Sequence, residues 1–192
     1  MNQLKSPFMD VLARINFSFK NESILTECIK DFDGFQLFGK KIGPFKKGKK
    51  YPLRFFLALP LIQHDILSID VSQKCDHIDV QRYAISERDD QRIIKPNEKF
   101  FLNKLKEFKH IMRKDIENKA KNQMDLDRFN SYMSNIVDGR LFKLLRMAKS
   151  KLKVNEEKRL TISERVLYEE INHLLEIWRT FFLDIVDNKK KN

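Results

Sequence analysis

The sequence contains few of the residues that cross-link or interrupt a chain, and it has no long apolar run. Its two cysteines, Cys28 and Cys75, are far apart in sequence, which argues against a disulfide framework and favours a reducing compartment. The longest apolar stretch, residues 55–62, is interrupted by Pro60 and is far shorter than the roughly 20 residues of a membrane helix. The N-terminal segment lacks the pattern of a secretory signal. We therefore predict a soluble cytoplasmic protein with no membrane partner.

Signatures of catalysis and metal binding are equally scarce. The glycine-rich segment 39–48 lacks the Gly-Lys-Ser/Thr ending of a phosphate-binding loop, and no serine or cysteine lies in a nucleophile-elbow context. Cys75 and His77 lie close together but lack a second ligand pair at zinc-site spacing. A polar segment contains an acidic run formed by Glu87, Asp89 and Asp90. We interpret this run as a solvated charge cluster rather than as a magnesium site. We predict no enzymatic activity, no cofactor and no metal.

The sequence contains enough apolar residues for a core and a large excess of positive charge. Apolar residues make up 42% of the 192-residue chain, enough to build a hydrophobic core. Lysine and arginine exceed the acidic residues by 11, which favours nucleic acid or an acidic protein as a partner.

Turn-forming residues divide the chain into two different halves. All five prolines lie at or before Pro96, and four of the five glycines lie between residues 34 and 48. Short apolar segments bounded by turns predict strands, at residues 24–30, 35–38 and 66–71, with the first two joined by a turn at Gly34. Tyr51-Pro52 is expected to open a short helix over residues 53–59 that Pro60 ends or kinks. We predict an α+β fold, with a small N-terminal β-rich domain at 1–71, a linker at 72–95 and an all-α helical domain at 96–192.

The helical half shows apolar residues three or four positions apart. One stripe begins at Phe101, and a second begins after Asp125, which can cap its helix, and includes Val137 and Leu145. A third helix follows Thr161-Ile-Ser-Glu164, which has capping-box spacing. Towards its end this helix is apolar around most of its circumference, so we expect a partner chain to cover it. The residues predicted at the partner interface are Trp178, Phe181, Phe182, Ile185, Phe100 and Phe101.

Two groups of charged residues are candidate sites. Arg140 continues the apolar stripe of the second helix, so its charge needs a partner; with Lys143 we predict a structural salt bridge, and ligand binding is the alternative. Six lysines surround the glycine-rich segment and are either a solvated loop or candidate contacts for DNA or an acidic partner: Lys40, Lys41, Lys46, Lys47, Lys49 and Lys50. The aromatic rings of Phe45 and Tyr51 can stack on bases or anchor this loop to the core.

Several segments occur together as they do in one family. Ile42-Gly-Pro-Phe-Lys-Lys-Gly-Lys-Lys-Tyr-Pro-Leu-Arg-Phe-Phe-Leu-Ala58 resembles the Gly-Pro-Phe, Pro-Leu, aromatic, Leu-Ala signature of GINS subunits whose β domain precedes the helical domain. Asp138-Gly-Arg-Leu-Phe-Lys-Leu144 resembles a segment in the helical domain of the same subunits. The segment Leu160–Glu164 and its long helix also fit. The resemblance covers most of the chain after about residue 23, in the family's order.

The resemblance implies an archaeal GINS subunit that acts without catalysis in DNA replication. Such a subunit forms a 2:2 tetramer with a GINS subunit of reverse domain order. The complex bridges and activates the MCM helicase together with a RecJ-like factor, at the replication fork in the nucleoid, and DNA is a further candidate partner. The alternative is a free-standing nucleic-acid-binding protein without sequence specificity, which uses the Lys40–Lys50 loop and the basic C-terminal tail.

Overall fold

The fold combines a small β region with a longer helical region, which confirms the predicted α+β class. The computed structural model describes residues 5–117 and 122–183. The strands are β1 (Ser23–Cys28), β2 (Phe35–Leu37), β3 (Lys40–Ile42), β4 (Lys50–Arg54) and β5 (Leu67–Ile69). The helices are α1 (Lys5–Lys20), α2 (Phe55–Gln63), α3 (His77–Asp89), α4 (Phe101–Glu117), α5 (Gln123–Met147), α6 (Val154–Glu157) and α7 (Ile162–Leu183).

The chain forms two compact units, and each is built from two separate segments. Unit 1 comprises Met1–Val80 and Asn103–Asn130, and unit 2 comprises Gln81–Leu102 and Ser131–Asn192. Unit 1 thus includes most of α4, which the sequence had placed with the helical domain. The side chains of Asn16 on α1 and of Asn103 and Glu107 on α4 are hydrogen-bonded, which ties these two helices together inside unit 1.

The sheet of unit 1 pairs strands that are distant in sequence. Strand β1 lies in the middle, antiparallel to both β4 and β5, while β2 and β3 form a separate two-stranded sheet. The turn at Gly34 thus connects β1 and β2 along the chain, but these two strands do not pair with each other. Pro52 lies in β4 rather than at the start of a helix; the edge position of β4 tolerates a residue that lacks an N–H donor. Helix α2 instead begins at Phe55, and it continues past Pro60 to Gln63.

Aromatic and glycine residues fix the path of the chain around the two-stranded sheet. Phe45 is buried, packs edge-on against Tyr51 and stacks on Phe32, so it anchors the lysine-rich loop to the core. Gly34 has a φ of 91°, and a Cβ added there would lie 2.0 Å from the carbonyl oxygen of Ile42. Only glycine permits both this left-handed conformation and this close approach of two backbone segments.

Three of the described helices were not predicted from the sequence: α1, α3 and the short α6. Helix α1 precedes the first strand and buries Ile15 and Phe19, the latter with its ring 5.2 Å from that of Phe55. Helix α3 occupies the middle of the segment predicted as a linker. It buries Val80, Ala84 and Glu87, which lie at helical spacing. Because one of these three residues is charged, the helical repeat of apolar residues is too weak to recognise in the sequence.

Helices α5 and α7 begin close to where the sequence indicates. The predicted capping box of α7 is confirmed, since the Thr161 N–H donates to Glu164 Oε2 at 2.8 Å and the Glu164 N–H donates to Thr161 Oγ1 at 3.3 Å. Helix α5 is capped by Asn122, whose side-chain oxygen accepts the Met124 N–H, and not by Asp125, which lies inside the helix. The core of unit 2 is a cluster of five buried residues: Ile93, Leu144, Ala148, Leu160 and Tyr168.

Candidate functional site

From Leu174 onwards, α7 carries large apolar side chains that the rest of the described residues, 5–117 and 122–183, leave exposed. Every residue from Glu176 to Leu183 is exposed. Six exposed apolar residues between positions 174 and 183 are between 53% and 77% exposed, and we call them the α7 apolar face: Leu174, Ile177, Trp178, Phe181, Phe182 and Leu183. The ring of Phe182 lies 5.1 Å from that of Trp178 and 5.0 Å from that of Phe181, so the three aromatic residues form one continuous cluster.

The first half of α7 behaves differently, because it packs on the core of unit 2. Glu164 and Tyr168 are buried, and Leu167, Ile171 and Leu175 are partly buried against the core cluster. The Tyr168 hydroxyl donates to the Ser150 carbonyl at 2.5 Å. One helix thus combines an anchored half and an uncovered apolar half.

The other residues predicted at the partner interface do not join this face. Phe100 is buried, at 6% exposure, and is therefore a core residue rather than a surface one. Phe101 is half-buried, with its ring 4.3 Å from that of Tyr83. Ile185 lies outside the described residues.

A second apolar strip, on α5, was missed by the sequence reasoning. Val137 and Leu145, predicted to continue the core stripe, are 40% and 42% exposed. Leu141 lies between them at spacings of four residues, and the neighbouring Phe142 is 68% exposed. The spacing of Val137, Leu141 and Leu145 is the signal that could have revealed this strip, because it forms its own row beside the buried row of Ile136, Arg140 and Leu144.

Arg140 is the centre of a buried polar cluster in unit 2. Its side chain is 1% exposed and forms ion pairs with Glu164 and Glu87, with nitrogen–oxygen distances of 2.5 Å and 2.7 Å. It also donates to Glu164 Oε2, to the Tyr83 hydroxyl and to two backbone carbonyls, those of Ile94 and Arg159. One guanidinium thus connects α3, α5 and the start of α7.

Lys143, one turn further along α5, completes the cluster. Its ammonium pairs with Glu87 Oε1 at 2.5 Å and donates to the backbone carbonyls of Glu87 and Arg92. The cluster contains two cations and two carboxylates, so it is neutral as a whole. Glu87 is 1% exposed, and the interpretation of this residue as part of a solvated acidic cluster is therefore wrong.

Burial and neighbouring charges shift two pKa values in this cluster. Burial alone would lower the pKa of Arg140, but hydrogen bonds and charge from Glu164, together with Tyr83 and Glu87, outweigh it and raise this pKa above its usual range. Burial raises the pKa of Tyr83 above its usual value, although the Arg140 charge opposes the shift. Tyr83 therefore remains a neutral hydroxyl, and Arg140 remains charged.

The six lysines of the predicted contact loop lie at the end of the two-stranded sheet and at the start of β4. All six are exposed. Lys50 differs from the others because its Nζ is 2.6 Å from Oδ2 of Asp70, which is 3% exposed. Hydrogen bonds from Lys50 and Ser72 hold the pKa of Asp70 at about 2. The loop backbone is fixed by the Tyr51 hydroxyl, which accepts the Lys46 N–H, and by Asp31, which accepts the Lys47 N–H.

The residues considered as metal ligands remain apart. Within residues 5–117 and 122–183 no three His, Cys, Asp or Glu side chains are grouped so as to hold a metal ion. Cys28 is buried and Cys75 is half-buried, and neither forms a disulfide. His77 Nδ1 lies 3.8 Å from Oδ1 of Asp125.

Comparison with known proteins gives no family assignment. No protein-family model matches this sequence, and none of the curated proteins matches it. In the part of the chain that the structure describes, no helix has the length and apolar character needed to cross a membrane.

Proposed function

We propose that this chain is a non-catalytic assembly subunit of the GINS type, which helps to hold the MCM helicase and a RecJ-like factor together during DNA replication. The observation that carries this proposal is the α7 apolar face. A helix end that exposes six large apolar residues is unusual in a protein that functions alone, and it is expected where a second chain packs against it.

The size of the hydrophobic gain supports a stable complex. Full burial of one large apolar side chain contributes about 1.5–3 kcal/mol, so four such residues contribute roughly 6–12 kcal/mol. The cost of association is about 4–15 kcal/mol, which is of the same order. Trp178 adds to the gain, because tryptophan is among the residues most enriched at interface hot spots. Burial of this face by a partner therefore offsets a large part of the cost of association.

The buried cluster supports this role by holding the base of α7 in a defined place. Glu164 belongs both to the capping box of α7 and to the ion pairs of Arg140. A helix that is fixed at its first turn and along its first half can present its second half to a partner without a large loss of conformational entropy. In this account, Arg140 and Glu164 act on assembly through rigidity rather than through contact with the partner.

The partner that we propose is a GINS subunit of reverse domain order, two copies of which join two copies of this chain. Its identity comes from the resemblance carried by residues 42–58 and 138–144. The test is co-expression of the two chains followed by affinity purification. Wild-type protein is expected to retain the partner, whereas Phe181→Ser with Phe182→Ser is expected to lose it.

A matched control separates loss of this face from a general loss of surface hydrophobicity. Phe17 and Phe38 are also exposed, at 70% and 95%, but lie in unit 1. Phe17→Ser with Phe38→Ser is expected to retain the partner. Equal retention by both double variants would argue against the α7 apolar face as the interface.

A second candidate function is nucleic-acid binding by the lysine-rich loop, and the exposure of all six lysines favours it. Within the described residues, Lys50 alone among the six forms an ion pair with a carboxylate, so the remaining ammonium groups are available for phosphates. A salt titration of DNA binding distinguishes the two candidates. Tight binding by the isolated chain that falls steeply with salt would favour this second function, whereas weak binding together with capture of the partner subunit would favour assembly.

A further inference from the structure

Unit 2 contains an open cleft whose lining is rich in arginine. The cleft has a volume of about 490 Å³ and lies where the end of α5 meets α6 and the segment that follows α3. Three guanidinium groups line it, those of Arg92, Arg146 and Arg159. Among the described residues of this lining, Glu156 is the only carboxylate. The cleft shares no residue with the α7 apolar face or with the lysine-rich loop.

The net charge of the cleft lining is positive once the charges that already have partners are set aside. Lys143 also reaches the lining, but its ammonium is used by Glu87 and by backbone carbonyls within the neutral buried cluster. Glu156 is partly occupied as well, because its Oε2 accepts the Lys153 N–H at 3.0 Å. Three arginines therefore line the cleft against one carboxylate in the lining, and Arg92 has a further, long ion pair with Asp90.

Most of the donor groups of these arginines are available. Arg159 uses one N–H for the Ile93 carbonyl, at 3.1 Å. Arg92 Nε is 4.0 Å from the nearest oxygen of Asp90, which is longer than a hydrogen bond. The two most exposed guanidiniums, those of Arg92 and Arg146, can therefore turn their planar donor pairs towards a ligand.

The chemistry of the lining selects phosphate. Guanidinium groups bind phosphate through paired, parallel hydrogen bonds, which a lysine ammonium does not provide. Lysines outnumber arginines in this chain, yet the uncommitted cations of the cleft are all arginines. The hydroxyl of Ser150 and the amide of Asn155 supply further donors. The described residues that line the cleft include no aromatic ring, and none of them offers a base a stacking partner.

From these observations we propose that the cleft binds the phosphate groups of a small ligand or of a nucleic-acid end, without reading a base. Its volume lies within the range of about 300–1,000 Å³ that is typical of small-molecule sites. Pyrophosphate and tripolyphosphate contain the recognised groups without a base, and they are therefore the simplest probes. The proposal does not depend on the GINS assignment, because it uses no residue of the α7 apolar face.

The test is isothermal titration calorimetry of the full chain with pyrophosphate at low salt. Wild-type protein is expected to bind one equivalent. Arg92→Gln with Arg146→Gln is expected to weaken binding at least tenfold, which corresponds to about 1.4 kcal/mol. The matched control, Lys30→Gln with Lys106→Gln, removes the same charge from exposed positions in unit 1 and is expected to leave the affinity nearly unchanged.

Two results would overturn the proposal: no saturable binding by wild-type protein at millimolar pyrophosphate, or equal weakening in both double variants, which would indicate a general charge effect. Competition then identifies the source of the phosphate. A nucleic-acid end is supported if a 5′-phosphorylated oligonucleotide binds and pyrophosphate displaces it. In that case the arginine variant is also expected to bind the oligonucleotide at least tenfold more weakly. Binding of pyrophosphate and free nucleoside triphosphate without binding of the oligonucleotide would support a small ligand.

Discussion

Replacement of Arg140 by alanine is expected to cause a large loss of stability. The substitution removes every hydrogen bond that the guanidinium donates, and it leaves Glu164 buried without its counter-ion. Glu87 keeps Lys143 as a partner, so the main cost is carried by Glu164. Helix propensity does not offset this cost, because arginine and alanine are both good helix formers.

The expected magnitude follows from the burial of the cluster. Arg140, Glu87 and Glu164 have side chains that are 1–3% exposed, so water cannot solvate a carboxylate that has lost its partner. Removal of one member of such a buried pair costs about 3–5 kcal/mol. The loss is therefore expected to be a large fraction of the roughly 5–15 kcal/mol that stabilises an ordinary folded protein.

Urea unfolding followed by circular dichroism measures this loss. We expect the midpoint for Arg140→Ala to fall with little change in the slope of the transition. Arg146→Ala is the matched control, because Arg146 is an exposed arginine on the same helix, and its substitution is expected to change the unfolding free energy by less than about 0.5 kcal/mol.

A double-mutant cycle tests the reason for the effect. Arg140→Met with Glu164→Met removes both charges, and it should be clearly less destabilising than the sum of the two single substitutions. A loss below about 1 kcal/mol for Arg140→Ala, or strict additivity in the cycle, would refute the reasoning, because the loss of a buried partner costs more than that.

Three further predictions concern unit 1. Gly34→Ala is expected to destabilise the β region, since the added Cβ would meet the Ile42 carbonyl, while Gly39→Ala has open space at its Cβ and is expected to cost less in the same unfolding assay. A second variant replaces the loop lysines Lys46, Lys47 and Lys49 by glutamine. It is expected to keep the melting temperature of the wild type and to bind DNA or an acidic partner more weakly at low salt. Because the pKa of Asp70 is lowered from 3.8 to about 2, its contribution to stability is present above pH 4 and is lost as the pH falls towards 2, and Asp70→Asn is expected to remove that part of the acid dependence.

Each of these three predictions has a result that would contradict it. Equal stability of the two glycine variants would show that the backbone approach at Gly34 relaxes without cost. Unchanged affinity of the lysine variant for DNA and for the helicase would remove the binding role of the loop. An identical acid-unfolding curve for Asp70→Asn would show that its ion pair with Lys50 does not contribute to the pH dependence.

Local signals were sufficient to predict some features of the site. The capping box needs only the spacing of Thr161 and Glu164, and the sequence predicted it correctly because both residues belong to one helical turn. The position of Arg140 on an apolar stripe likewise showed that its charge required a partner. The apolar surplus at the end of α7 followed from helical periodicity alone.

Features that depend on distant contacts could not be predicted. Glu87 and Tyr83 lie more than fifty residues before Arg140, in a polar segment without a clear apolar period, so nothing in the sequence identified them as its partners. The same limit applies to β1, whose partners β4 and β5 are set by packing rather than by the adjacent turn. Phe100 was predicted at the partner interface, yet tertiary packing buries it.

The most direct test of the assembly proposal is the mass of the protein in solution, measured by light scattering. The account predicts that this 23.0 kDa chain is not a well-behaved monomer on its own, and that a GINS subunit of reverse domain order shifts it to a defined complex with two copies of each chain. Phe181→Ser with Phe182→Ser is expected to prevent this shift. A monodisperse monomer at high concentration, with no increase in mass when that partner is added, would contradict the account and leave nucleic-acid binding by the lysine-rich loop as the better explanation.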